Sequence, residues 1–128
     1  MIQAPIRPNP TSRTKLRALF QRHAFRPRRE LGQTFLVDDN IAHKVVRAAH
    51  LTGQEPVLEI GPGAGAVTRL LADQSRRLVA IEIDPILVSL LAETVDPVVE
   101  VIKADFLRLP LDQLLSSEEQ GNWRCIAN

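Results

Sequence analysis

The chain holds a single cysteine, Cys125, which excludes an internal disulfide. In the strand predicted around it, that cysteine reads as a small core residue rather than a nucleophile. No apolar run approaches the roughly 18 residues that cross a membrane. The opening Met1-Ile2-Gln3-Ala4-Pro5 has no apolar signal core, so the expectation is a cytoplasmic protein rather than a secreted one. Three histidines, His23, His43 and His50, are scattered without the spacing of a metal site, and no metal is expected. Internal repeats and low-complexity segments are also missing. Acid is absent from one stretch: residues 1–29 hold eight of the sixteen Lys/Arg and none of the fifteen Asp/Glu, so they carry +8 against −7 for the remainder. A basic arm on an acidic body suggests a polyanionic partner. A solvated tail and an organelle transit peptide are the competing readings of that arm.

What is present is ordinary for one globular domain: 128 residues, 45% apolar and 24% charged. Residues 1–10 contain three prolines and should be extended. Thr11 or Ser12 can cap a helix through about Ala24, with Leu16, Leu19, Phe20 and Ala24 inward. Residues 25–37 read as an irregular loop. Asp38 or Asp39 caps a second helix to about His50, with Ile41, Val45 and Ala48 or Ala49 inward. From there the pattern alternates: strand 57–60, helix 65–74, strand 78–83, helix 85–94, strand 98–102, a short helical piece at 111–115, a polar loop from Ser116 to Asn122, and a closing strand from Trp123. Alternating strands and helices imply a parallel α/β sheet with right-handed crossovers.

The first of those strands runs into Leu58-Glu59-Ile60-Gly61-Pro62-Gly63-Ala64-Gly65, and the second ends in Ile81-Glu82-Ile83-Asp84. Glu82 lies 21 residues after Gly61, a spacing that suits a carboxylate binding the ribose hydroxyls of an adenosine cofactor held at the glycine turn. Gly61-x-Gly63-x-x-Ala66 also satisfies the loose dinucleotide fingerprint, which leaves a nicotinamide cofactor open. Glu59 inside the strand and Pro62 in the turn weigh against that, and the run Glu59-x-Gly61-x-Gly63-x-Gly65 resembles the first motif of S-adenosylmethionine-dependent methyltransferases. A structural turn with no ligand is the plain alternative. Ligands of such sheets bind at the carboxyl ends of the strands, and Gly61 to Gly65, Glu82 with Asp84, Asp105 with Phe106, and Asn128 all fall there.

Leu31-Gly32-Gln33-Thr34-Phe35-Leu36-x-Asp38 resembles the Gly-Gln-Asn-Phe-Leu-x-Asp segment of the rRNA adenine N6-dimethyltransferases, the KsgA/RsmA family related to the Erm resistance enzymes. Glu59 to Gly63, Ile81 to Asp84, Ala104-Asp105 and Ile126-Ala127-Asn128 resemble that family's glycine, second, third and catalytic motifs, in order, across residues 11–128. Thr11 to Lys15 also resembles the bacterial small-subunit enzymes, which disfavours a transit peptide. The resemblance implies an α/β, Rossmann-like class I methyltransferase fold, with S-adenosyl-L-methionine as cofactor and small-subunit rRNA or the pre-ribosomal small subunit as partner. It implies that Gln33, Thr34 and Leu36 line the methionine end of the cofactor, that Gly61 and Gly63 allow close backbone approach, and that Glu82 binds the ribose. Asp105 would accept from the adenine amino group, with Phe106 beside that base, and Asn128 would be catalytic, accepting from the target adenine N6 amine. Arg26, Arg28 and Arg29 are candidates for RNA phosphates.

Thr34 stands where most members carry asparagine, and the chain ends at Asn128, before the Leu-Pro-Tyr of the family motif. The expectation is therefore an amino-terminal piece of the family enzyme: a basic arm and helix over 1–30, then over 31–128 the first four strands in the order 3-2-1-4. Such a piece is expected to be inactive alone. The family is usually monomeric, but a bare fourth edge strand invites self-association. The alternatives are an Erm-type large-subunit enzyme, a non-catalytic nucleic-acid-binding relative, and a nicotinamide oxidoreductase, which leaves Gly32 to Leu36 and Asn128 unexplained.

Overall fold

Two aliphatic stretches build the centre of the molecule. The computed structural model describes residues 3, 5–115 and 122–127. In it, Pro56–Ile60 (β1) and Arg77–Glu82 (β2) pair in parallel with Val57 opposite Leu78 and Glu59 opposite Ala80. Glu100–Lys103 (β3) adds to the outer side of β2, and Arg124–Ala127 (β4) to the outer side of β1, with Ile126 opposite Glu59. The sheet order is β3-β2-β1-β4, the order the sequence implied. Because side chains alternate along a strand, Val57, Leu78 and Ala80 face one side and Leu58, Val79 and Ile81 the other.

Three helices cover the first side. These are Asp39–Ala48 (α2), Thr68–Leu71 (α3) and Pro85–Thr94 (α4), which bury Ala42, Val46, Leu71 and Leu91 there with Val95. The second side is covered by Phe106, Leu109 and Trp123, with Leu111 and Leu114 of the short helix Leu111–Leu114 (α5). A further helix, Arg13–Arg22 (α1), buries Leu16 and Leu19 with Phe25, Ala64, Leu87 and Leu90. Arg22 and His23 both pair with Glu93 of α4, which fastens the basic helix to the sheet layer. No helix among the described residues is long and apolar enough to cross a membrane.

Local chemistry explains the boundaries. Ser12 caps α1 by accepting from Lys15 N, and Asp38 caps α2 by accepting from Ile41 N at 3.2 Å. Asp84 caps α4, accepting from Ile86 N at 2.8 Å, and Pro85 takes the first turn, where its missing N–H costs nothing. Four expectations need correction. Helix α1 ends at Arg22, not Ala24. Ala24 is left-handed at φ 52°, and Phe25 N bonds back to Phe20 O, turning Phe25 into the core. Helix α2 buries Ala42 and Val46, whereas Ile41 is 46% exposed. Its rotation is set by Asp39, which Arg69 of α3 and Thr11 both hold. Helix α3 is four residues rather than ten, because residues 63–67 form turns. Cys125 is exposed, not core, because β4 is an outer strand partnered only by β1 among the described residues.

Candidate functional site

The carboxyl ends of β1 and β2 meet at the glycine turn. Gly61 N donates to Ile81 O at 2.9 Å, carrying the strand ladder one step beyond β1. The chain then reverses through Gly61 at φ 70° and Gly63 at φ 60°, a backbone region costly for residues with Cβ. A Cβ at Gly61 would meet nothing within 4 Å, so its backbone is open to an approaching molecule. Gly65 differs: a Cβ there would lie 2.8 Å from both Thr94 Oγ1 and Val95 Cγ1, so it serves close packing of the turn on α4.

Glu82 ties the turn together. It is 6% exposed, and its Oε1 accepts from Gly63 N at 3.3 Å while Oε2 accepts from Asp84 N at 3.0 Å. Burial raises its carboxyl pKa, and the amide hydrogen bonds from Asp84 and Gly63 oppose that shift. The acid thus spans the turns after both central strands while each oxygen keeps a further lone pair.

Residues 32–36 close over this turn. The ring of Phe35 lies 3.5 Å from where a Gly63 Cβ would stand, and it packs on Phe20 and Phe25 at centroid distances of 4.9 and 5.6 Å. Between segment and turn lies a cavity of about 130 Å³ lined by Thr34, Leu36, Glu59, Gly61, Gly63 and Ile126 among others. Of the residues singled out from the sequence, the structure gathers Thr34, Leu36, Gly61 and Gly63 around this space, with Glu82 directly behind Gly63. Gln33 does not line it. Its Oε1 accepts from Arg28 N at 2.8 Å and its Nε2 donates to Asp84 Oδ2 at 3.4 Å, so it bridges the basic segment to the start of α4.

Asp105 and Phe106 stand one strand further out. Ala104 N donates to Glu82 O at 3.0 Å, which keeps the ends of β2 and β3 together. Asp105 accepts from Leu107 N at 3.0 Å, capping a 3-10 turn at Phe106–Arg108, and Phe106 packs against the second face of the sheet. Arg26, Arg28 and Arg29 are exposed in the segment after α1. Asn128 lies outside the described residues, as do residues 116–121 of the loop expected from Ser116 to Asn122. Among the described residues no group of three or more His, Cys, Asp or Glu is placed to hold a metal.

The sequence reading left Glu59, Phe35 and Ile126 out of the site. Glu59 lines the cavity, is 4% exposed, and accepts from Thr68 Oγ1 at 2.5 Å. Burial is the largest influence on its carboxyl pKa, pushing it up to about 7. The Thr68 hydrogen bond lowers it and the charge of Glu82 raises it further. The available signal was an acid in the middle of an otherwise aliphatic strand.

A parallel, helix-covered sheet with a glycine turn and a second-strand acid at its carboxyl edge defines a Rossmann-like α/β domain. The family model described as "Ribosomal RNA adenine dimethylase" matches residues 24–128, and the chain belongs to that family. It is 37% identical over 119 residues to a protein of Leuconostoc mesenteroides named "Ribosomal RNA small subunit methyltransferase A", an overlap covering 90% of this chain and 40% of that relative. The chain therefore spans about two fifths of that relative's length. Among solved structures it is similar to a dimethyladenosine transferase from Plasmodium falciparum, with TM-score 0.55, 25% identity and coverage of 71% of this chain and 32% of that one. It is also similar to the 23S rRNA methyltransferase ErmE, with TM-score 0.50, 38% identity and coverage of 59% and 32%.

Proposed function

We propose that this chain carries the S-adenosylmethionine site of an rRNA adenine N6-dimethyltransferase that acts on small-subunit rRNA during ribosome assembly. The observation that carries this reading is the seating of residues 32–36 over the glycine turn, with Thr34 and Leu36 sharing one cavity with Gly61 and Gly63. A dinucleotide domain needs the turn amides for a pyrophosphate. Here Gly63 N is already donated to Glu82, and Glu59 faces the same space. An acid already bonded to that amide, with a second carboxyl facing the cavity, suits the turn poorly to a polyanion and well to a ligand of positive or no net charge. The residues present thus fit S-adenosylmethionine better than a nicotinamide dinucleotide.

In this reading Gly61 and Gly63 offer bare backbone, Thr34 and Leu36 wall the methionine end, and Glu82 accepts from the ribose hydroxyls. Gln33 positions the covering segment through its bridge to Asp84. Asp105 accepts from the adenine amino group, with Phe106 beside the base. The cofactor, when bound, supplies a methyl group on a sulfonium that is itself a strong methyl donor. Asn128 accepts from the target N6–H and orients that weakly nucleophilic amine, a gain in positioning of several kcal/mol in comparable cases. The target base leaves its stack to reach the pocket. Arg26, Arg28 and Arg29 hold RNA phosphates. A substrate of this kind implies work in the cytoplasm.

The likeness to ErmE favours a second reading, methylation of large-subunit rRNA, and the name of the Leuconostoc relative supports the first. Methylation assays on the two rRNAs separate them. The cofactor reading is tested by calorimetric titration with S-adenosylhomocysteine beside NADH. Saturable binding of the former alone is expected, weakened about 10- to 100-fold in Glu82→Ala, as for loss of charge-assisted hydrogen bonds. Binding of NADH, or none of S-adenosylhomocysteine, refutes it.

A further inference from the structure

Glu59 is an unusual wall for a ligand cavity. Strand β1 delivers it to the same sheet face as Glu82, because Glu59 pairs with Ala80 and Glu82 follows two residues later on that face. The elements packed around it bring little compensating charge. From β4 comes Ile126, from α3 comes Thr68, and from β2 comes Glu82, whose charge has the same sign. Arg69, the next residue on α3, is held by Asp39. No ion pair to Glu59 forms among the described residues.

Its hydrogen-bond partner has a special property. Amide donors, such as those that hold Glu82, can serve only an acceptor. The Thr68 hydroxyl can donate to a carboxylate or accept from a carboxylic acid by rotating. Glu59 can therefore exist in either protonation state without losing that contact. Burial beside a second acid makes the neutral state the cheaper one until a positive charge arrives.

We propose that Glu59 is held as a neutral carboxylic acid while the cavity holds no cation and loses its proton when the cationic cofactor binds, the carboxylate then serving as counter-ion to the ligand's positive charge. The proposal rests on the cofactor reading above. In the step, the carboxyl O–H bond breaks, both electrons stay on the carboxylate, and the proton passes to solvent. Glu59 thereby selects for charge at the glycine turn, while Glu82 keeps its fixed bonds to backbone. Binding should tighten about tenfold per pH unit on the acid side of neutrality and level off above it.

The test is calorimetric titration of S-adenosylmethionine in phosphate and in imidazole buffer, whose ionisation enthalpies differ, for the wild type and Glu59→Gln. A group titrating near 7 should release about 0.9 proton per bound ligand at pH 6 and about 0.1 at pH 8. The variant should show no such release. Saturable binding without buffer dependence, or the same proton release in Glu59→Gln, overturns the proposal alone. Failure to bind overturns the cofactor reading and the proposal with it. If Glu59→Gln does not fold, carbon-detected titration of the Glu59 carboxyl in the wild type decides. A midpoint near neutrality that falls on ligand addition supports the proposal, and one that does not move overturns it.

Discussion

Replacing Glu59 by glutamine should stabilise the free protein at alkaline pH and leave it nearly unchanged in acid. Glutamine matches the neutral acid in shape and can still accept from Thr68 Oγ1, the bond that Glu59 makes at 2.5 Å. Below the ordinary glutamate value of 4.5, Glu59 is protonated in both folded and unfolded chains, so the wild type and the variant should melt alike. As pH rises from there, the unfolded chain ionises while the folded chain resists, and wild-type stability falls. The loss levels off once the folded group also ionises, at about 7. That gap corresponds to about 3 kcal/mol, to be read as an order of magnitude for so buried a group. With a urea dependence of about 1–3 kcal/mol per molar, the two midpoints should separate by about 1–3 M at pH 8 and coincide near pH 4.5. Every other titrating group is common to both chains, and all but Glu82, which is coupled to the charge of Glu59, cancel in the difference. A separation that is constant across pH, or a variant less stable than wild type at pH 8, would refute the reasoning.

Gly65→Ala should cost about 2–4 kcal/mol, the sum of overpacking against Thr94 and Val95 and a left-handed backbone at φ 95°. A loss below about 0.5 kcal/mol in urea melts would mean that the turn moves away from α4 freely. Asp84→Ala should lose about 1 kcal/mol by uncapping α4. It also removes the Gln33 anchor, so tryptic cleavage after Arg28 or Arg29 should quicken. An unchanged cleavage rate would contradict the bridge from the basic segment to α4.

Much of the fold was legible because its signals are local. The helix expected over about 85–94 is found at Pro85–Thr94, since a proline in the first turn marks its start. Strand alternation gave the parallel sheet, and the order of its strands is the one the family resemblance implied. Local pattern failed where a distant partner decides. The rotation of α2 depends on Asp39 meeting Arg69, thirty residues away in the chain. The shortness of α3 depends on Gly65 fitting between Thr94 and Val95. The exposure of Cys125 depends on β4 lying on the outside of the sheet.

The site divides the same way. Sequence alone determined the glycine turn, the acid 21 residues beyond it and the segment from Gly32 to Leu36, because backbone conformation and motif spacing are written in adjacent residues. Only the tertiary structure decided what those residues touch. It placed Phe35 over Gly63, turned Gln33 away to Arg28 and Asp84, and spent one lone pair of each Glu82 oxygen on a backbone amide. It also buried Glu59 against Thr68 and beside Glu82. A carboxyl's proton affinity is fixed by what surrounds it in three dimensions, and no reading along the chain supplies that environment.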